Sequence, residues 1–344
     1  MPSIKTVLYS CIAAVTCWLW LGAGPLAAQE RVVVVGSGSN VPAHLYQAWI
    51  GEFNKIDTHT QVQYLPMGTS ESIKQISEGS GDFGGGEVPL SNEQMHNSGA
   101  PLVEIPTVLV GIVPIYNLPG NPEVNFSGEL LAQIYLGNVK TWKDPRIARL
   151  NPGVQFPDLP ISVVHRSAGK GSNYIFTDFL SKTNSQFRAE VGKNPSPKWP
   201  LGTDANRGED MVEQVASRPG AVGYVELNFA RSSGVGYGRV QNASGQFVRA
   251  TPESIAAACD AETLSAGSLP ASLANAPGRE SYPIASFTWI YLPTAGASSE
   301  RRAALHQFLK WSLQQGQEVA RQQGYAALPE RVVSKAQSAI DSLH

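Results

Sequence analysis

The chain has 344 residues and a nearly balanced charge, with 26 lysines and arginines, 28 aspartates and glutamates, and a formal net charge of −2. Because no long run of basic residues could track a phosphate backbone, the composition excludes nucleic acid as a partner. Cys11 and Cys17 lie near the N-terminus and leave Cys259 alone in the body of the chain, so neither an internal disulfide nor a thiolate zinc site is expected.

The N-terminal segment has the layout of a secretory signal peptide. Lys5 precedes an uncharged, largely apolar run over residues 6–26. The run is long enough to span a bilayer, but the Gly24-Pro25 break and the small pair Ala27-Ala28 favour cleavage near Ala28 over a retained anchor. We therefore predict that residues 1–28 are a cleaved signal peptide and that the protein is exported to the periplasm. The remainder suits two domains of ordinary size.

Strand and helix patterns alternate after the leader. Short β-branched runs at 32–35 and 62–65 alternate with amphipathic stretches at 42–54 and 70–78. This βαβα order predicts an α/β protein with a parallel sheet covered on both faces.

The rest of the chain continues the alternation. Further strands are predicted at 109–116, 161–165, 221–225 and 287–292. Near the C-terminus, Ser298 or Ser299 is expected to cap a helix that buries Leu305, Phe308, Leu309 and Leu313 on one face.

Two chain crossings are predicted between two lobes. One lies near 107–111, and the other follows the irregular stretch 271–278. The predicted division assigns residues 29–108 and 275–344 to lobe I and residues 109–274 to lobe II.

Three loops rich in glycine and serine, at 36–42, 68–72 and 166–172, each follow a strand and precede a helix, the last of these helices predicted at 173–180. A single loop of this kind is typical of an ordinary helix cap. Their recurrence favours an anion site, because helix N-termini present free N–H groups and a positive dipole end. The spacing of the glycines fits neither a dinucleotide fingerprint nor a Walker A loop.

Longer strings add a family resemblance. They include GSGSNVPAHLYQAWI from Gly36, MGTSESIKQI from Met67, GDFGGGEVPLSNEQ from Gly81, ISVVHRSAGKGSNYIFTDFLSK from Ile161 and PGAVGYVE from Pro219. In this order and spacing the chain resembles, over most of its length, the PstS family of phosphate-binding receptors of high-affinity phosphate ABC transporters.

The resemblance implies a two-lobed type II periplasmic binding protein fold, with the ligand cleft between the lobes. It implies a monomer that binds inorganic phosphate and delivers it to an inner-membrane ABC permease, with no catalytic residue, metal or cofactor. Glu87 would accept the proton that phosphate carries and sulfate lacks. Carried over by position, the ligand-binding residues would be Ser39, Asn40, Val41, Thr69, Glu87, Arg166, Lys170, Gly171 and Ser172.

The sequence departs from the family pattern at five of the positions around this site. Val41 replaces a phenylalanine and Asn40 a threonine, while Glu87 replaces an aspartate. Ala168 replaces an aspartate that would orient the arginine, and Lys170 replaces a serine. We hypothesise that Lys170 partly neutralises the longer Glu87 carboxylate.

Two other functions stay open from the sequence. The substitutions fit a diverged receptor for another oxyanion or for a phosphorylated small molecule. An exported hydrolase of phosphate esters would need a nucleophile or a metal, and the sequence has neither a G-x-S-x-G elbow nor a metal-spaced His/Asp cluster. His165 and Cys259 are interpreted as packed residues.

Overall fold

The computed structural model describes residues 31–96, 101–259, 269 and 272–343, so the predicted signal peptide lies outside the described residues. The strands are β1 Val32–Gly38, β2 Thr60–Pro66, β3 Phe83–Gly86, β4 Leu102–Tyr116, β5 Asn125–Phe126, β6 Ser162–Arg166, β7 Thr203–Ala205, β8 Ala221–Glu226, β9 Gly236–Tyr237, β10 Arg239–Gln241, β11 Phe247–Val248 and β12 Ala285–Pro293. The helices are α1 Ala43–Ile56, α2 Thr69–Ser77, α3 Asn92–His96, α4 Gly128–Tyr135, α5 Pro145–Leu150, α6 Gly171–Thr183, α7 Ser185–Glu190, α8 Gly208–Ala216, α9 Leu227–Ser233, α10 Pro252–Ala257, α11 Ser299–Leu313, α12 Gln315–Gln322 and α13 Glu330–Asp341.

One large sheet runs through the molecule in the order β2-β1-β3-β12-β4-β8-β6-β7, with β9 added on β4. The fold is therefore α/β, as predicted. The prediction of a parallel sheet is correct for β2-β1-β3 and for β8-β6-β7. It is wrong for the centre, where β12 and β4 pair antiparallel with each other and with their other neighbours. Local patterns could not show this, because β12 returns from the far end of the chain.

Strand β4 joins the two halves of the sheet. The first part of β4 pairs with β12, and β3, β1 and β2 follow beyond β12 in the sheet. The last five residues of β4, from Ile112 to Tyr116, pair with β8. The division into two lobes, with its boundaries, stays a prediction.

In both halves of the sheet, strands run with their carboxyl ends toward the middle of β4. Gly86 at the end of β3 pairs with Trp289, which pairs with Pro106 of β4. Glu226 at the end of β8 pairs directly with Ile112. Loops that follow β1, β3, β6 and β8 therefore converge on one region from opposite sides, and this region is where a ligand cleft belongs in open α/β sheets.

The predicted amphipathic helices form with their apolar faces on the sheet. Helix α1 buries Leu45, Tyr46, Trp49 and Phe53, which recur at helical spacing. Helix α11 begins after Ser298, whose side chain accepts a hydrogen bond from the Arg301 N–H. It buries all four of the predicted core residues. Because helices cover the faces of the sheet, a ligand can reach it at the loops.

Candidate functional site

The first two glycine-rich loops are bonded to each other and to the end of β3. The Ser39 N–H donates to the Gly85 carbonyl at 2.9 Å, and the Met67 N–H donates to the Gly38 carbonyl at 2.7 Å. The side chain of Ser39 accepts a hydrogen bond from the Val41 N–H at 3.1 Å. These bonds hold the starts of α1 and α2 together in one half of the sheet.

The third loop comes from the other half and contacts the second. The Ser70 N–H donates to the Gly169 carbonyl at 3.2 Å, and the Lys170 Nζ donates to the Met67 carbonyl at 3.1 Å. Gly68 has a φ of +139°, and a Cβ there would lie 3.3 Å from the Gly169 carbonyl oxygen. Glycine is therefore required for the two loops to come this close.

Glu87 is buried where these loops meet, with no exposed surface. Its Oε2 accepts a hydrogen bond from the Thr69 hydroxyl at 2.8 Å. A Cβ on Gly171 would lie 1.6 Å from the same oxygen, so only glycine lets the carboxyl group rest against the start of α6. Its Oε1 has no hydrogen-bond partner among the residues that the structure describes.

Burial governs the protonation of Glu87. Burial raises the pKa of the carboxyl group to about 8, against the lowering effects of the Ser39 and Thr69 hydroxyl groups and of the Arg166 charge. The Glu226 charge adds to the rise. The carboxyl group is therefore mostly protonated at neutral pH, so it can donate as well as accept a hydrogen bond.

Arg166 ends β6 and is 1% exposed. Its backbone N–H donates to the Tyr224 hydroxyl at 3.1 Å, and its Nη2 donates to the Asn206 carbonyl at 3.0 Å. Within the described chain, Nε and Nη1 have no hydrogen-bond partner, although Nη1 lies 3.8 Å from Glu226 Oε1. The guanidinium group therefore keeps donors for an anion, in a geometry that suits phosphate or carboxylate.

Lys170 and Ser172 open helix α6. Lys170 is the N-cap residue and its side chain makes no capping bond, which leaves the first-turn N–H groups facing the cleft end of the helix. The Ser172 hydroxyl is buried and has no partner in the described part of the protein. The positive end of this helix thus adds neutral donors to the Arg166 charge.

The structure corrects the hypothesis about Lys170. Its Nζ bonds to the Met67 carbonyl rather than to Glu87. The side chain is only 8% exposed, so it does not point out of the cleft. Burial, and secondarily Arg166, lower the pKa of the amine. Lys170 therefore links the two halves of the sheet, and the burial of Glu87 is balanced mainly by its own protonation.

A cavity of about 350 Å³ adjoins the site. Its lining residues come from both halves of the sheet: Asn40, Ala43, His44, Gln47, Pro66, Met67, Arg166, Lys170, Asn206, Arg207, Gly208, Glu209, Glu226 and Phe229. At its rim, His44 and Glu209 form an ion pair at 3.7 Å between half-exposed side chains. Among the buried charged groups of the site, Arg166, Lys170 and Glu226 line this cavity.

The structure thus brings the predicted site residues together around the cleft. Ser39, Thr69, Glu87, Arg166, Gly171 and Ser172 contribute polar atoms or close backbone contacts, and Asn40 and Lys170 line the cavity. Val41 contributes a backbone N–H that is bonded to Ser39. Their roles toward a ligand stay a prediction.

Three residues at the site were not predicted. Glu226, Asn206 and Tyr224 all contact Arg166. Only Glu226 carried a signal in the sequence, because a charged residue at the carboxyl end of an apolar, buried strand is unusual.

The groups gathered at this site suit the binding of an anion. Among the described residues, no group of three His, Cys, Asp or Glu side chains could hold a metal ion. His165 is stacked on Trp199, with ring centroids 5.4 Å apart, and lies 3.1 Å from Asp204. Cys259 is buried in the core. Charge-assisted donors, helix N-terminal N–H groups and one carboxyl group instead fit an oxyanion that can carry a proton.

Comparisons with known proteins agree with this site. The PBP superfamily domain matches residues 25–315. The phosphate-binding protein PstS of Pasteurella multocida is 34% identical over 312 residues, covering 90% of each chain. PstS of Haemophilus influenzae is 34% identical over 325 residues, covering 93% of this chain and 95% of that protein.

Solved structures show the same fold. A putative phosphate ABC transporter substrate-binding protein from Clostridium perfringens, solved with bound phosphate, has a TM-score of 0.64 at 19% identity, covering 86% of this chain and all of that one. A phosphate-binding protein from Stenotrophomonas maltophilia has a TM-score of 0.65 at 19% identity, covering 90% of this chain and 94% of that one. Together with the sequence relatives, these matches show that the chain belongs to the PstS family of phosphate-binding proteins.

Proposed function

We propose that this protein is the periplasmic receptor of a phosphate ABC transporter, and that it binds phosphate without reacting with it. The observation that carries the proposal is the buried Glu87 carboxyl group beside Arg166 and the start of α6. A site of this kind favours an oxyanion that carries a proton. The proton on the ligand or on Glu87 then lies between two oxygen atoms, and one of them accepts it in a hydrogen bond.

Phosphate near neutral pH carries at least one proton and sulfate carries none. Rejection of an analogue that lacks a required hydrogen-bonding group reaches roughly 10⁴-fold to 10⁵-fold in sites built around that group. The relatives named for phosphate binding support phosphate as the ligand.

Delivery to a permease would depend on closure of the two halves of the sheet. The bonds from Ser70 to Gly169 and from Lys170 to Met67 already join the loops of the two halves. Hinge closure around a ligand gives a membrane partner a surface that exists only in the loaded form.

Export follows from the predicted signal peptide. No helix in the described residues has the length and apolar composition to cross a membrane. Mass spectrometry of the protein secreted to the periplasm should show a mature chain that begins near Gln29, and light scattering should show a monomer.

Calorimetric titration tests the ligand directly. Protein stripped of ligand by unfolding and refolding would be titrated with phosphate, arsenate, sulfate and phosphite at pH 9, where the Glu87 carboxyl group is mostly ionised and phosphate still carries a proton. We expect one-to-one binding of phosphate and arsenate, with sulfate much weaker. No heat or thermal stabilisation at millimolar phosphate would contradict the proposal.

A second candidate ligand is favoured by the cavity beside Arg166. Its volume of about 350 Å³ lies within the range of pockets for organic ligands, and it is lined by Arg207 and Phe229 as well as by the anion site. A phosphate monoester such as glycerol 3-phosphate therefore belongs in the same titration. Tighter binding of the ester than of inorganic phosphate would identify a diverged receptor for phosphorylated small molecules.

A further inference from the structure

Glu226 is a buried acidic residue whose side chain does not cap the helix that follows it. It ends β8 and occupies the N-cap position of α9, yet its side chain makes no capping bond. It is 2% exposed, and neither carboxylate oxygen has a hydrogen-bond partner among the described residues. Burial of an acid in this state is costly unless a nearby charge or ligand compensates it.

Arg166 is the charge that compensates Glu226, at 3.8 Å between Nη1 and Oε1. Among the described residues, the other hydrogen bond that fixes the guanidinium group is the one from Nη2 to the Asn206 carbonyl. Position 168 is alanine, so the loop that carries Arg166 supplies no carboxylate at that position. Glu226 is therefore placed to set the orientation of a guanidinium group whose remaining donors face the cleft.

Glu226 also acts on Glu87 through space. Its negative charge opposes ionisation of the Glu87 carboxyl group. A bound anion without a proton would add its charge to that of Glu226 and, once Glu87 is ionised, to that of a second buried carboxylate near Arg166. The groups that surround Glu226 are Glu87 after β3, Arg166 on β6, Lys170 before α6, Tyr224 on β8, Tyr325 after α12, and His44, Arg207 and Glu209 on the cavity wall.

We infer that Glu226 is a positioning and specificity-determining residue of the anion site, which orients the Arg166 guanidinium group and disfavours anions that bring no proton. The inference rests on the proposed function, since it concerns how that site chooses among oxyanions.

The isosteric substitution Glu226→Gln tests both parts. It removes the charge and keeps the volume, so the cavity wall is preserved. Phosphate and sulfate would be titrated into wild-type and variant protein from pH 6 to 10. At pH 6, where Glu87 is protonated in both proteins, we expect the preference for phosphate over sulfate to fall by about tenfold or more, because a buried charge that repels the sulfate dianion is removed. The pH at which sulfate binding is half lost should also move down, because Glu87 loses a neighbouring negative charge.

Glu209→Gln is the matched control. Glu209 lies at the rim of the same cavity, but its side chain is 52% exposed and paired with His44. This variant should leave both the anion preference and its pH profile within about twofold of wild type, since exposed ion pairs contribute little.

Glu226→Asp separates orientation from charge. It keeps the negative charge and draws the carboxylate away from Arg166, so both anions should bind more weakly while their ratio and the pH profile stay close to wild type. Wild-type affinities in Glu226→Asp would refute the positioning role. A wild-type anion ratio and pH profile in folded Glu226→Gln would refute the role in specificity. Absence of phosphate binding by wild-type protein would instead refute the proposed function on which the inference rests.

Discussion

At the scale of single residues, the protonation of Glu87 predicts a pH-dependent choice between anions. The pKa of this carboxyl group is about 8. Below that pH the protonated group would donate a hydrogen bond to sulfate, whereas above it the ionised group would repel sulfate. Sulfate affinity should therefore fall by up to about tenfold per pH unit above 8, because binding then requires uptake of one proton. Phosphate should lose less affinity, since its remaining proton can be donated to the ionised group.

The measurement for this prediction is a set of titrations with both anions between pH 6 and 10. Glu87→Gln provides the comparison, because an amide keeps the shape of the site and does not titrate. Its sulfate affinity should be nearly flat over this range. A wild-type sulfate profile as flat as that of the variant would show that Glu87 does not face the anion.

Gly171 gives a second prediction at the same scale. A Cβ at this position would overlap Glu87 Oε2, so Gly171→Ala should push the carboxyl group off Thr69. We expect phosphate affinity to fall by at least about tenfold, which is about 1.4 kcal/mol. Calorimetric titration checks this, and affinity equal to wild type would mean that the contact is dispensable.

Gly51→Ala is the matched glycine control. It lies within α1, where an added Cβ meets nothing within 4 Å. Because alanine is the better helix former, this variant should raise the free energy of unfolding by roughly 0.5 to 1 kcal/mol and leave binding unchanged.

At the scale of secondary-structure elements, the loop before α6 predicts a role for Lys170 in closure. Its Nζ bonds to Met67 in the other half of the sheet, so Lys170→Met should remove both a cross-cleft bond and a buried charge. Phosphate and sulfate affinities should fall together, each by about tenfold, within the range for charged hydrogen bonds. Titration with each anion measures this.

Lys74→Met in α2 controls for loss of a lysine. Lys74 is exposed, so its replacement should leave both affinities unchanged. A drop in Lys170→Met that affects only one of the anions would show that Lys170 selects between ligands rather than holding the cleft closed.

The boundaries of the helices and strands can be compared with those predicted from the sequence. The predicted helix at 42–54 is confirmed as α1, with its start within one residue. The helix predicted at 173–180 begins two residues earlier, as α6, because Gly171 and Ser172 are typical of loops and nothing local marks them as helical. The first part of β4 was not predicted because Pro106 interrupts the strand pattern. In the structure the β4-β12 register shifts between Thr288 and Trp289, next to that proline.

At the scale of the whole molecule, ligand binding should stabilise the folded protein. Because the site is assembled from β1, β3, β6 and β8 and their loops, the unfolded chain has no equivalent site. Phosphate at 100 times its dissociation constant should therefore add about 2.7 kcal/mol to the free energy of unfolding. Thermal melting with increasing phosphate measures this, with sodium chloride at equal ionic strength as the control. Equal melting temperatures in both salts would contradict a phosphate site that exists only in the fold.

The alternation of strands and helices, the three glycine-rich loops and the family resemblance could all be derived from the amino-acid sequence. These features are local, since they depend on residue periodicity, on the φ angles open to glycine and on strings of adjacent residues. Thr69, Glu87, Arg166 and Ser172 could be named from such strings before their positions were known.

How these parts meet became visible in the folded protein. The antiparallel centre of the sheet, the bond from Lys170 to Met67 and the pair of Arg166 with Glu226 join residues that are distant in the chain. The pKa of Glu87 also belongs to this level, because it follows from burial among groups on four separate segments. Contacts and desolvation of this kind depend on packing across the chain, which no local pattern of residues records.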